Sequence, residues 1–129
     1  MLALFKHRNR GVHIPHSLKY MVGLWNYIFD CKGDKVTEQQ IQRKIIQFLE
    51  KEKNAYVVKV MSATKSGVPD ILCCISGIFI GIEVKTPKTS KNTSALQDYN
   101  LDLIKKKGGL SLVAWNVPMV NDFLECNEL

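Results

Sequence analysis

Two apolar runs, residues 68–75 and 78–86, are joined by only two residues, Ser76-Gly77. A connection that short can join only antiparallel neighbours, so the pair reads as a β-hairpin. In such a hairpin, positions whose numbers sum to about 153 lie opposite one another, which sets Asp70 across from Glu83. Side chains two apart on a strand share a face, so Glu83 and Lys85 point one way and Val84 the other. The turn and the alternation together predict two carboxylates and one ammonium in a single small patch.

The neighbours of that patch, Ile71, Leu72, Ile80 and Ile82, are apolar. Carboxylates paired there repel unless a cation lies between them. Mg²⁺, or Mn²⁺ in its place, takes hard oxygen ligands and keeps several waters, so Asp70, Glu83 and the backbone carbonyl of Val84 form a suitable donor set. A metal so held polarises a phosphodiester and acidifies a bound water, while Lys85 orients that water or offsets charge on the phosphate. The plainer alternative is a cross-strand salt bridge in which Lys85 only neutralises a carboxylate.

The hairpin sits within an ordered series of elements. Thr37, with Gln40 three residues later, has the form of a capping box, and Ile41, Ile45, Phe48 and Leu49 give a helical stripe ending near Lys53 and Asn54. Residues 55–60 read as a strand and 61–67 as a loop. Pro87 closes the hairpin, and 88–93 form a polar loop. Ser94 caps a second helix with the stripe Leu96, Tyr99, Leu103 and Ile104, stopped by Gly108-Gly109. Residues 110–115 are a fourth strand, and 117–124 a last short helix after a break at Pro118. The expected fold is α/β: one mixed sheet flanked by helices.

A chain of 129 residues suits one domain, here 33–129, preceded by a basic, aromatic extension, 1–32. Within the extension, residues 17–29 read as a short helix, apolar nearly all round, that needs a partner surface: the domain, another copy of the chain or a membrane surface, of which the lack of a basic stripe favours the first two. Met21 is an alternative initiator. The formal charge of +6 and a pI near 9.2 favour a polyanionic partner. Lys65, Lys88, Lys91, Lys105 and Lys106 are the candidate phosphate contacts, with Lys6, Arg8, Arg10 and Lys19 on the extension. Cys31, Cys73, Cys74 and Cys126 lack CxxC spacing and read as reduced core residues. His7, His13 and His16 have no matching cysteine pair, which argues against a histidine metal site. No secretory signal is evident, and the apolar run 20–29 is far short of the ~20 residues that span a bilayer, so a cytoplasmic protein without a membrane partner is expected.

Taken together, Thr37-Glu38-Gln39-Gln40-Ile41, Gly67-Val68-Pro69-Asp70-Ile71, Ile82-Glu83-Val84-Lys85 and Ala95-Leu96-Gln97 resemble, in order and spacing, the VRR-NUC branch of the PD-(D/E)xK nucleases, the type found alone in phage and bacterial proteins. The resemblance covers about residues 37–115. It implies a restriction-endonuclease-like αβββαβ core, metal-dependent cleavage of DNA, and a metal site on Asp70 and Glu83 with Lys85 as the catalytic lysine. It also implies that Glu38, acting on the metal through water, and Gln97 complete the site; Gln42, one turn after Glu38 and on the same face, is a weaker candidate by helical spacing. Stand-alone members are expected to pair as homodimers and act on four-way, Holliday-type DNA junctions; a phage-encoded member works in the host cytoplasm. The extension departs from the compact members. Two other readings compete with this one: a catalytically inactive DNA-binding module on a nuclease fold, and an RNA-processing nuclease.

Overall fold

The computed structural model describes residues 35–129; the expectations for the extension, including the 17–29 helix, Cys31 and the three histidines, lie outside the described residues. The described elements are α1 (Glu38–Glu52), β1 (Tyr56–Lys59), β2 (Ile71–Ile75), β3 (Ile78–Val84), α2 (Ala95–Lys106), β4 (Leu110–Ala114) and α3 (Val117–Cys126). They form one mixed sheet in the order β1-β2-β3-β4, with β1, β2 and β3 antiparallel and β4 parallel to β3. The βαβ step from β3 through α2 to β4 is the crossover that a parallel pair requires.

Each helix start has a local cause. Thr37 caps α1 in the expected capping box, its hydroxyl accepting from Gln40 N–H while the Gln40 side chain accepts from Thr37 N–H. Ser94 and Gln97 repeat the device at α2. Asn54 follows α1 in the left-handed region (φ 51°) and ends it. Ser76 and Gly77 both have positive φ (49° and 81°), as a tight hairpin turn demands, and the register Ile71↔Ile82 to Ile75↔Ile78 is the one the sequence predicts.

The core forms where α1 and α3 cover one face of the sheet. Ile41, Ile45 and Leu49 of α1 and Val120 and Leu124 of α3 pack with Ile71, Cys73, Ile75, Ile80, Ile82, Val84 and Ala114. Phe79, Gly81 and Glu83 belong to the opposite face by strand alternation. There α2 crosses so closely that a Cβ added at Gly81 would lie 2.6 Å from Ile104 Cδ1.

Four details differ from expectation. The second strand begins at Ile71 rather than 68, because Gly67 turns the chain at φ 80° and Pro69 has no N–H for a ladder. In α2 the inward row is Gln97, Asn100, Leu101 and Ile104, whereas Leu96 and Tyr99 of the expected stripe are exposed. Pro118 does not break the last helix but sits in its first turn, where the missing N–H costs nothing, behind an Asn116 cap that accepts from Met119 N–H. Cys126, at the end of α3, is exposed and not a core residue, and Cys74 is half-buried; of the described cysteines only Cys73, whose thiol burial pushes up to about 11, lies in the core. Among the described residues no helix is long and apolar enough to cross a membrane.

Candidate active site

The sheet brings Asp70, Glu83 and Lys85 together at the end of the hairpin away from its turn. Asp70 immediately precedes β2, and its Oδ2 accepts from Val84 N–H at 2.8 Å, so the carboxylate is fixed against the end of β3. Its own carbonyl accepts from Val60 N–H at 2.8 Å, which anchors the same residue on the β1 side. Glu83 is the most enclosed charged group among the described residues, with 2% of its surface exposed. Its Oε1 accepts from Lys85 Nζ at 3.0 Å and from the Gln97 amide. The backbone of Lys85 is held by its N–H to Ala114 carbonyl, 3.0 Å, so its side chain leaves from a fixed point.

Glu83 Oε2 is buried and, among the described residues, has no hydrogen-bond partner. A buried carboxylate oxygen with no donor is costly, and native proteins rarely keep one without a ligand, ion or water to satisfy it. No group of three or more His, Cys, Asp and Glu side chains among the described residues forms a ready-made cage. Two neighbouring carboxylates, one of them with an unsatisfied oxygen, instead fit a magnesium-type ion, which binds through one or two carboxylates and retains waters.

Glu38, the first residue of α1, reaches the same neighbourhood: its charge acts on Asp70, Glu83 and Lys85. Gln97 arrives from the first turn of α2. Gln42 is buried one turn beyond Glu38, and among the described residues no hydrogen bond joins it to the carboxylates. All five lysine candidates are exposed. Lys88 and Lys91 follow the site in the chain, whereas Lys105 and Lys106 lie about 12 Å along α2 from Gln97 at 1.5 Å per residue, and Lys106 is paired with Asp102 at 2.8 Å.

Two residues here were missed in the sequence. Asn100 donates to the carbonyls of Ser66 (3.1 Å) and Leu96 (2.8 Å), tying the loop before Asp70 to α2. Thr89 donates to Glu38 Oε1 at 3.3 Å. Asn100 could have been found as the polar residue three after Gln97 on the same helical face.

Burial raises Asp70, despite the opposing Val84 N–H and the Lys85 charge. Burial likewise raises Glu83, with the Asp70 charge adding to it and the Lys85 hydrogen bond opposing it. For Lys85, desolvation pulls the pKa down, but the hydrogen bond and charge of Glu83, with Glu38 and Asp70, outweigh it and the net shift is upward. The metal-free fold therefore binds protons at the two carboxyls more tightly than the unfolded chain. Their contribution to stability is complete below the ordinary carboxylate pKa of about 4 and is lost as pH rises through the folded values. In chelator, Asp70→Asn is expected to unfold at higher urea than wild type at pH 7, with the gap closing by pH 4. A variant less stable than wild type at pH 7 would contradict the assigned desolvation.

No family model and no curated protein matches the chain. Solved structures do. A VRR_NUC domain superposes with a TM-score of 0.55 at 24% identity, over 68% of this chain and 94% of the other. A VRR_NUC domain protein superposes with a TM-score of 0.57 at 19% identity, over 71% of this chain and 88% of the other. The described unit has the fold of these domains.

Proposed function

We propose that this chain is a divalent-metal-dependent nuclease that hydrolyses DNA phosphodiester bonds at Asp70, Glu83 and Lys85. The observation that carries the reading is the buried, unpartnered Glu83 Oε2 beside a second carboxylate. Mg²⁺ or Mn²⁺ would be held by Asp70, Glu83 and the Val84 carbonyl, with Glu38 acting through water; when bound, it supplies a polarised phosphate and a more acidic water.

The chain's own groups do the rest. Gln97 and Lys85 occupy Glu83 Oε1 and leave Oε2 for the cation. Lys85, held charged by the surrounding carboxylates, is placed to offset negative charge that builds on the phosphate or to orient the attacking water. Lys65, Lys88, Lys91, Lys105 and Lys106 would meet the phosphate backbone, so binding weakens steeply with salt.

The preferred substrate in this reading is branched DNA cut by a homodimer, in which two-fold symmetry offers one site to each of two related strands. The exposed Tyr56, Val58, Phe79, Leu96 and Tyr99 supply apolar surface that a second copy could cover.

One preparation tests these points on matched linear DNA, four-way junction and RNA. Expected are cleavage with Mg²⁺ or Mn²⁺, none in excess chelator, Ca²⁺ supporting binding better than cleavage, paired nicks on the junction, and a dimer by light scattering. Full activity in chelator would overturn the metal reading. Binding with no cleavage under any metal would favour the inactive DNA-binding module, and preference for RNA the processing nuclease. A monomer cutting linear and junction DNA equally would leave only the general nuclease.

A further inference from the structure

The segment after Lys85 folds back on itself through two hydroxyls. Thr86 N–H donates to Thr89 Oγ1 at 3.0 Å, and Thr89 N–H returns to the Thr86 carbonyl at 3.0 Å and to Thr86 Oγ1 at 3.3 Å. The hydroxyls lie 2.9 Å apart, and Thr89 Oγ1 lies 3.3 Å from Glu38 Oε1. Each hydroxyl carries a single proton. A carboxylate only accepts, so the proton of Thr89 goes to Glu38, the strongest acceptor in reach. Thr86 then supplies its own proton to Thr89. The consistent arrangement is a directed chain, Thr86 O–H to Thr89 Oγ1 and Thr89 O–H to Glu38, closed by the two backbone N–H bonds.

This chain joins three parts distant in sequence: the end of the strand carrying Glu83 and Lys85, the loop carrying Lys88 and Lys91, and the first turn of α1. Among the described residues Thr89 is the hydrogen-bond donor to the Glu38 side chain. We propose that Thr89 is a positioning residue that orients Glu38 toward the Asp70 and Glu83 carboxylates and, by the same bonds, sets the Lys88–Lys91 loop against the site. The inference rests on the reading of Asp70 and Glu83 as a divalent-metal site on which Glu38 acts through water.

Partners of direct ligands change metal affinity by about 10–100-fold when removed, and Thr89, which acts through Glu38 and its water, belongs at the low end of that range. Thr89→Val keeps the shape and deletes the hydroxyl; Thr89→Ser keeps the hydroxyl. Mn²⁺ affinity is measured by titration calorimetry on DNA-free protein for wild type, both variants, Glu38→Gln and the Thr89→Val/Glu38→Gln double variant, with thermal melting to establish that each is folded. Expected are about 10-fold or more weaker binding for Thr89→Val, recovery in Thr89→Ser, and no further loss on adding Thr89→Val to Glu38→Gln. Unchanged affinity in folded Thr89→Val, or an equal loss in the Glu38→Gln background, would overturn the positioning role while the metal site stands. A wild-type protein that binds no Mn²⁺ would overturn the metal site itself and the positioning role with it.

Discussion

Alanine at Lys85, Glu83 or Asp70 is expected to reduce DNA cleavage by ~10²-fold or more while the protein still folds. The reason is where these residues sit. Glu83 lies near the end of β3 and Lys85 one residue past it, on the face that α2 crosses, and the core on the other face is built from Ile80, Ile82 and Val84. Removing a carboxylate or the ammonium therefore takes away metal ligation or phosphate compensation and leaves the packing that holds the strand. Asp70 follows the same logic with one addition: its Oδ2 secures the Val84 N–H, so Asp70→Asn is the cleaner variant, able to accept that bond without the charge. Single-turnover cleavage with circular dichroism on the same samples checks both halves. Near-wild-type turnover by a folded variant would remove that residue from the site.

The second large effect is expected at Gly67. The residue has φ 80°, and a Cβ there would lie 2.6 Å from the backbone C and O of Leu96 and 2.8 Å from its Cβ. The clash is with helix backbone, which cannot swing aside as a side chain tip can. Gly67→Ala then incurs left-handed strain of about 1–3 kcal/mol and overpacking of a similar size, roughly 2–6 kcal/mol in all. That is a large part of the 5–15 kcal/mol typical of a domain. Urea denaturation measures it, and a loss below about 0.5 kcal/mol would contradict the close approach of α2 to this loop. Activity should fall as well, because Asn100 clamps Ser66 beside Gly67, and displacing α2 moves Gln97 away from Glu83.

The hairpin, its register and the meeting of Asp70 with Glu83 were legible in the sequence because a two-residue turn and a period of two leave no freedom: once Ser76-Gly77 is the turn, the partner of every residue follows. The caps of α1 and α2 were legible for a similar local reason. The phase of α2 was not. Its inward row begins with Gln97 and Asn100, which face Glu83 and the Ser66 carbonyl rather than the core, so a search for apolar periodicity selects Leu96 and Tyr99 on the wrong side. Thr89 was illegible because its partner lies 51 positions away and no periodicity governs a loop. The Pro118 error has a different origin: proline stops a helix in its interior but suits a first turn, and only the Asn116 cap tells the two apart.

Whether Asp70, Glu83 and Lys85 form a metal-dependent phosphodiesterase site is decided by titrating Mg²⁺ into chelator-treated protein under single-turnover conditions with end-labelled DNA, wild type beside an identically purified Glu83→Gln. A metal-dependent site gives saturable, Mg²⁺-dependent cleavage by wild type and none by the variant; cleavage that persists without metal, or that both preparations share equally, would rule such a site out.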